Sequence, residues 1–91
     1  MGQRTDPFRV LLLSISQDLT AANLNGMKFA CDGVIPDGVL EKMTQPLELF
    51  TELEHRNLLT ETEKDFLAEL LLHVGRQELA RKLLGMNVKG K

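Results

Sequence analysis

One cysteine and two histidines are the side chains of this 91-residue chain best suited to covalent or metal chemistry. A thiolate becomes a nucleophile when a base or a helix N-terminus lowers its pKa, and an imidazole can be that base or a metal ligand. The surrounding pattern supports neither use. Cys31 falls on the apolar line of a helical segment with Leu24 and Met27, His55 stands near a helix end, and His73 follows three leucines deep in an apolar run. No glycine-rich phosphate loop and no carboxylate pair beside a cleft accompanies them. Each is read as structural, so no enzymatic activity, cofactor or metal is expected.

Binding chemistry is better represented, by two residues in unusual places. Counting about 100° per residue, Phe29 lies roughly 200° from both Met27 and Cys31, so it points away from the line that would hold its helix in the core. Either a neighbouring element covers the ring, or it is one of many harmless exposed apolar groups, or it anchors a protein contact. By the same count Arg76 falls on the side of the last helix that carries Leu79, Ala80 and Leu83. Its guanidinium either reaches past them into water or is gripped by acceptors, of which Glu78 is the nearest acid in sequence.

The elements that must position these residues read as helices throughout. "TDPFRVLLLSISQDL" offers Asp6 as N-cap and Pro7 at the first helical position, with Phe8, Leu11, Leu12, Ile15 and Leu19 at helical spacing. A second helix has Thr20 as N-cap and stops at Gly33, and a third of one or two turns starts at Pro36. A fourth restarts at Pro46, places Leu47, Phe50 and Leu53 on one stripe and ends near Asn57. A fifth is expected to open with Thr60 and Glu63 as a capping box and to turn Phe66, Leu67, Leu70, Leu71 and Val74 inward. The sixth carries Leu79, Ala80 and Leu83 and closes at Gly85. Six short amphipathic helices must cover one another's stripes, which specifies an all-α bundle.

Composition narrows the function classes. With 11 basic and 13 acidic residues and a net charge of −2, the chain lacks the positive field that draws proteins to nucleic acid or anionic lipid. "QELARKLLGM" could open a helix-turn-helix, but a recognition helix would have to follow, where only "NVKGK" stands. The apolar runs are too short to span a bilayer, and "MGQRTD" has Asp6 where N-myristoylation needs Ser or Thr. A lone Cys31 cannot form an internal disulfide. A cytoplasmic module with no nucleic-acid or membrane partner is expected.

"DPFRVLLLSIS", "LNGMKFACDG", "LELF" and "LTETEKDFLAELL" followed by "GRQELARKLL" together resemble the death effector domain family, from Asp6 to about Leu84. The "DPF" start, the "KF" two residues before Cys31 and the "R-x-E-L" of the last helix carry the resemblance. Caspase-recruitment, pyrin and death domains share the same bundle and are the neighbouring alternatives. The resemblance implies a six-helix antiparallel bundle of Greek-key type, the death fold, over residues 6–85, with an extension at 1–5 and a flexible tail at 86–91. It also implies partners: the death effector domains of initiator procaspases and of their inactive homologue, whose crowding lets the proteases dimerise and activate.

The resemblance assigns sites as well. Phe29 takes the first place of a hydrophobic pair, usually Phe-Leu, flanked by Lys28 and followed here by Ala30, that enters a groove on the next domain. That groove would be lined by Arg9, Leu13 and Ser16 on the first helix and by Glu48 and His55 around the fourth. A knob and a socket on one chain imply self-association into chains or filaments. The family's Arg-x-Asp-Leu motif is matched by Arg76, Glu78 and Leu79, and the acid that completes its charge triad is matched by Asn23, which accepts a hydrogen bond but brings no charge. An adaptor of this kind also carries a receptor-gripping death domain, for which these residues leave no room. An isolated domain is expected to act as an inhibitor unless it forms filaments.

Overall fold

Helix α1 (Pro7–Asp18) starts where Asp6 Oδ1 accepts the Phe8 amide at 3.0 Å, and it buries Phe8, Leu12 and Ile15. The computed structural model describes residues 6–85; the expected extension at 1–5 and tail at 86–91 lie outside the described residues. Thr20 caps α2 (Ala21–Ala30), which buries Leu24 and Met27, and Cys31 follows in the same line. A single short turn of helix, α3 (Asp37–Glu41), leads to α4 (Pro46–His55), where Leu49 joins Phe50 and Leu53 inside while Leu47 is only half-buried. Helices α5 (Asp65–His73) and α6 (Gln77–Gly85) complete the described chain.

Packing closes these elements on themselves. α1 lies against α4 and α6, α6 against α5, α5 against α2, and α2 against α4, so five helices ring one apolar core in the order α1, α6, α5, α2, α4. The chain neighbours α1 and α2 are not ring neighbours, nor are α4 and α5, so their connections cross the bundle in the Greek-key manner. α2 meets the end of α5 closely: a Cβ on Gly26 would stand 2.8 Å from Val74 Cγ1. Glycine here trades helix propensity for close approach.

Two helix ends use left-handed residues. Asn57 (φ 63°) ends α4, with the Leu58 amide reaching back to the Leu53 carbonyl at 2.9 Å. Gly75 (φ 77°) ends α5 in a Schellman motif: its own amide bonds the Leu72 carbonyl at 3.0 Å and the Arg76 amide bonds that of Leu71 at 2.9 Å. That second bond sets Arg76 at the threshold of α6.

The start of α5 departs from the sequence expectation. Thr60 Oγ1 does accept the Glu63 amide at 2.9 Å, but the Thr60 amide bonds the backbone carbonyl of Glu63 instead of its carboxylate. The pair therefore closes a separate turn, and the helix begins two residues later behind Lys64. The Lys64 side chain is pulled inside, with 6% exposure, and its ammonium has no hydrogen-bond partner among the described residues. A buried cation without an acceptor destabilises the fold. Lys64→Met, which keeps the stem and deletes the charge, is expected to raise stability by about 1–3 kcal/mol in urea denaturation; a loss of stability would show that the ammonium is satisfied after all.

Candidate protein-interaction surface

Arg76 gathers three parts of the chain. Its Nε donates to Glu78 Oε2 at 2.8 Å, and Nη1 donates both to the Asp18 carbonyl and to Asn23 Oδ1, each at 2.8 Å. The Asp18 carbonyl is one of the groups that the end of α1 leaves without a helical donor. Asn23 Oδ1 also accepts the Thr20 amide at 3.1 Å, while Thr20 Oγ1 accepts the Asn23 amide at 3.0 Å, which is a capping box with an amide in place of the usual acid. One oxygen of Asn23 thus serves the start of α2 and the guanidinium together. The arginine hydrogen bond, followed by its own backbone amide, holds the Glu78 carboxyl below its ordinary 4.5.

On α2 the other oddity is fully outside. Phe29 is 83% exposed, and no neighbouring element covers it. It is the one exposed aromatic of the chain, since the other three phenylalanines are buried or half-buried and there is no Tyr or Trp. Its neighbours in sequence do not extend the knob. Lys28 is half-buried with Nζ donating to the Met43 carbonyl at 2.9 Å, and half-buried Ala30 packs against the core. The lysine bond ties α2 to the α3–α4 connection, and with Ala30 turned inward the ring of Phe29 projects alone.

A depression of about 290 Å³ lies between α1 and α4, lined by Arg9, Val10, Leu12, Leu13, Leu47, Phe50, Thr51 and Glu54. Of the residues expected to line a groove, Arg9 and Leu13 line this depression. Three other expected lining residues do not. Ser16 is buried, with 8% exposure, and its hydroxyl donates to the Leu13 carbonyl at 2.7 Å, so it braces α1 from within. Glu48 turns back on its own helix start, where Oε1 accepts the Thr44 and Gln45 amides at 2.7 and 3.2 Å; those bonds hold its carboxyl below the ordinary 4.5. His55 is exposed but outside the lining. On α4 the depression is lined by Leu47, Phe50, Thr51 and Glu54, which share the flank that meets α1 at helical spacing.

The reactive side chains stand on different elements. Cys31 is buried and its thiol is pushed up to about 11, far from the thiolate that a nucleophile needs. His73, expected deep in an apolar run, is exposed, because the core-facing line of α5 is Leu67, Leu70 and Leu71 and the imidazole falls on the opposite side. Among the described residues no three His, Cys, Asp or Glu side chains group to hold a metal, and no helix is long and apolar enough to cross a membrane.

Comparison with known proteins gives a consistent family. The model of the death effector domain matches residues 8–89. Of the death-fold classes left open by the sequence, this is the one it names. The chain is 37% identical over 78 residues to the FAS-associated death domain protein of Homo sapiens, covering 86% of this chain and 38% of that protein. It is 36% identical over 76 residues to human Caspase-10 and 32% identical over 80 residues to Caspase-8 of Mus musculus, covering 84% and 88% of this chain but 15% and 17% of those proteins. The chain therefore spans well under half the length of these relatives.

The junction at Arg76 generates two predictions. Arg76→Ala removes the bonds that join Asp18, Asn23 and Glu78, and is expected to cost about 1–2 kcal/mol, with Arg76→Lys recovering only part because an ammonium lacks the fork; an unchanged melting temperature would show that the junction does not stabilise the fold. Glu78 has a depressed folded pKa, so its contribution is complete above the ordinary carboxylate range and is lost as pH falls through the lower folded value. Acid titration of Glu78→Gln should thus show a shallower loss of stability below about pH 4 than the wild type, and coincident acid limbs would count against it.

Proposed function

The chain belongs to the death effector domain family, and from that premise we propose that it is an adaptor module which gathers initiator procaspases through contacts between domains of its own kind. The observation that carries this reading is the pairing of one projecting ring, Phe29, with an apolar depression between α1 and α4 to which that ring does not belong. Aromatic rings bury large apolar area, and hot spots cluster in well-packed, desolvated pockets. The socket's contacts are Val10, Leu12, Leu13, Leu47 and Phe50, of which Val10 and Leu13 are exposed in the free domain and gain cover when it is filled.

Knob and socket occupy different helices, so each contact is heterologous and leaves a free knob at one end and a free socket at the other. Successive domains then add head to tail. The tandem death effector domains of an initiator procaspase and of its inactive homologue are the partners, and further copies of this chain can extend the row. No bond is made or broken by the module. It acts by raising the local concentration of proteases that must meet in pairs, and linkage of this kind can multiply apparent affinity by about 10² to 10⁴ without any new contact.

The test is capture of the tandem death effector domains of an initiator procaspase by the purified domain, beside Phe29→Ala and Leu13→Glu. Phe29 is exposed and Leu13 partly so, so both variants are expected to melt within about 0.5 kcal/mol of wild type. Each should weaken capture by at least about tenfold, the loss of one hot-spot residue. Undiminished capture by both variants would direct attention away from this knob and this socket.

A further inference from the structure

The floor of the depression is apolar, but its rim carries an ion pair of a particular shape. Arg9 Nη1 donates to both oxygens of Glu54, at 2.9 and 3.1 Å, and so links α1 to α4 beside the opening. The Glu54 side chain is mostly covered, with 22% exposure, while that of Arg9 is 58% exposed. A pair this open to water does little for folding. What it does is fix direction: the guanidinium, otherwise free to sweep through solvent, is held over the edge of an apolar hollow.

A guanidinium presents a flat face of positive charge that is more weakly hydrated than an ammonium, and it is attracted to the negative face of an aromatic ring. The attraction grows as water is excluded. A ring resting on Leu12, Leu13 and Phe50 would meet Arg9 in that setting, whereas an aliphatic side chain of similar bulk would fill the hollow and gain nothing from the cation. The one exposed aromatic of this chain is Phe29. Because Lys28 and Ala30 are held against their own domain, the knob presents a ring and little else.

We infer that Arg9, oriented by Glu54, is a specificity-determining residue of the socket: its guanidinium covers the face of the Phe29 ring of a second copy of this chain and makes the socket prefer an aromatic knob to an aliphatic one. The inference rests on the knob-and-socket reading above and names what that reading leaves open, the feature that selects the occupant. Arg9 does so by contact, and Glu54 is a positioning residue that acts through it.

Two one-sided copies test it without the complication of filaments. A receiver carries Phe29→Ala and can only accept; a donor carries Leu13→Glu and can only insert, and their one-to-one affinity is measured by calorimetry. Arg9→Met in the receiver is expected to weaken binding of the Phe29 donor by about tenfold and to leave binding of a Phe29→Leu donor unchanged, the range of a desolvated cation–π contact. Glu54→Gln in the receiver should lose part of the same preference, which a general change of fold would not produce, and it serves as the second variant if Arg9→Met does not fold. Equal losses for the ring and the leucine would overturn the inference while the knob and socket stand. Failure of the unaltered receiver and donor to pair would overturn both together.

Discussion

A single guanidinium decides how α2 sits in this bundle. α2 is only ten residues long and offers the core one line of side chains, Leu24, Met27 and Cys31, which fixes which face looks inward but constrains its tilt and slide weakly. Arg76 removes that freedom by joining the α2 capping box at Asn23 to the last carbonyl of α1 and to Glu78 on α6. The Schellman turn at Gly75 is what brings Arg76 there, and the close approach of Gly26 to Val74 seats the same face of α2 about one turn further along. Phe29 projects because its helix is locked in this way with no element left to cover it.

From that placement the functional geometry follows. In the ring order α1, α6, α5, α2, α4 one hollow lies between α1 and α4, and α2 carries the projecting Phe29. In the proposed reading, a knob and a socket on different helices make a heterologous contact, which extends into an open row where no rotation closes it. Leu12 and Phe50 serve both the core and the floor of the hollow, whereas the proposed exposed contacts stand apart from the fold. Phe29 and the exposed parts of Val10 and Leu13 contribute little to the core, and the Arg76 junction is removed from the socket, so each can be varied without the other.

Much of this was legible in the sequence, for identifiable reasons. Helical spacing marked the inward lines of α1, α2 and α6 because each has a clean apolar stripe, and the same count set Phe29 outside. Arg76 at the core boundary was visible from its register with Leu79 and Ala80. Side chains that turn back on their own backbone were not visible: Glu48 looked like a groove residue, yet it caps the start of α4, and Ser16 bonds the Leu13 carbonyl. The Thr60 and Glu63 spacing reads as the capping box of α5, yet the pair closes a separate turn, and spacing alone does not say that the helix waits until Asp65 or that Lys64 goes inside. The Arg9–Glu54 pair was out of reach, because it joins residues 45 apart through packing that periodicity does not specify.

The central claim is that the ring of one domain enters the hollow between α1 and α4 of the next. The most direct test is an NMR titration in which an isotope-labelled receiver, carrying Phe29→Ala, is titrated with an unlabelled donor carrying Leu13→Glu. The account predicts methyl shifts concentrated at Val10, Leu12, Leu13 and Leu47, with ring-current displacements that vanish when the donor's Phe29 is changed to leucine. Shifts centred instead on Val39 and Met43, beside α3, would contradict it and place the contact on another face.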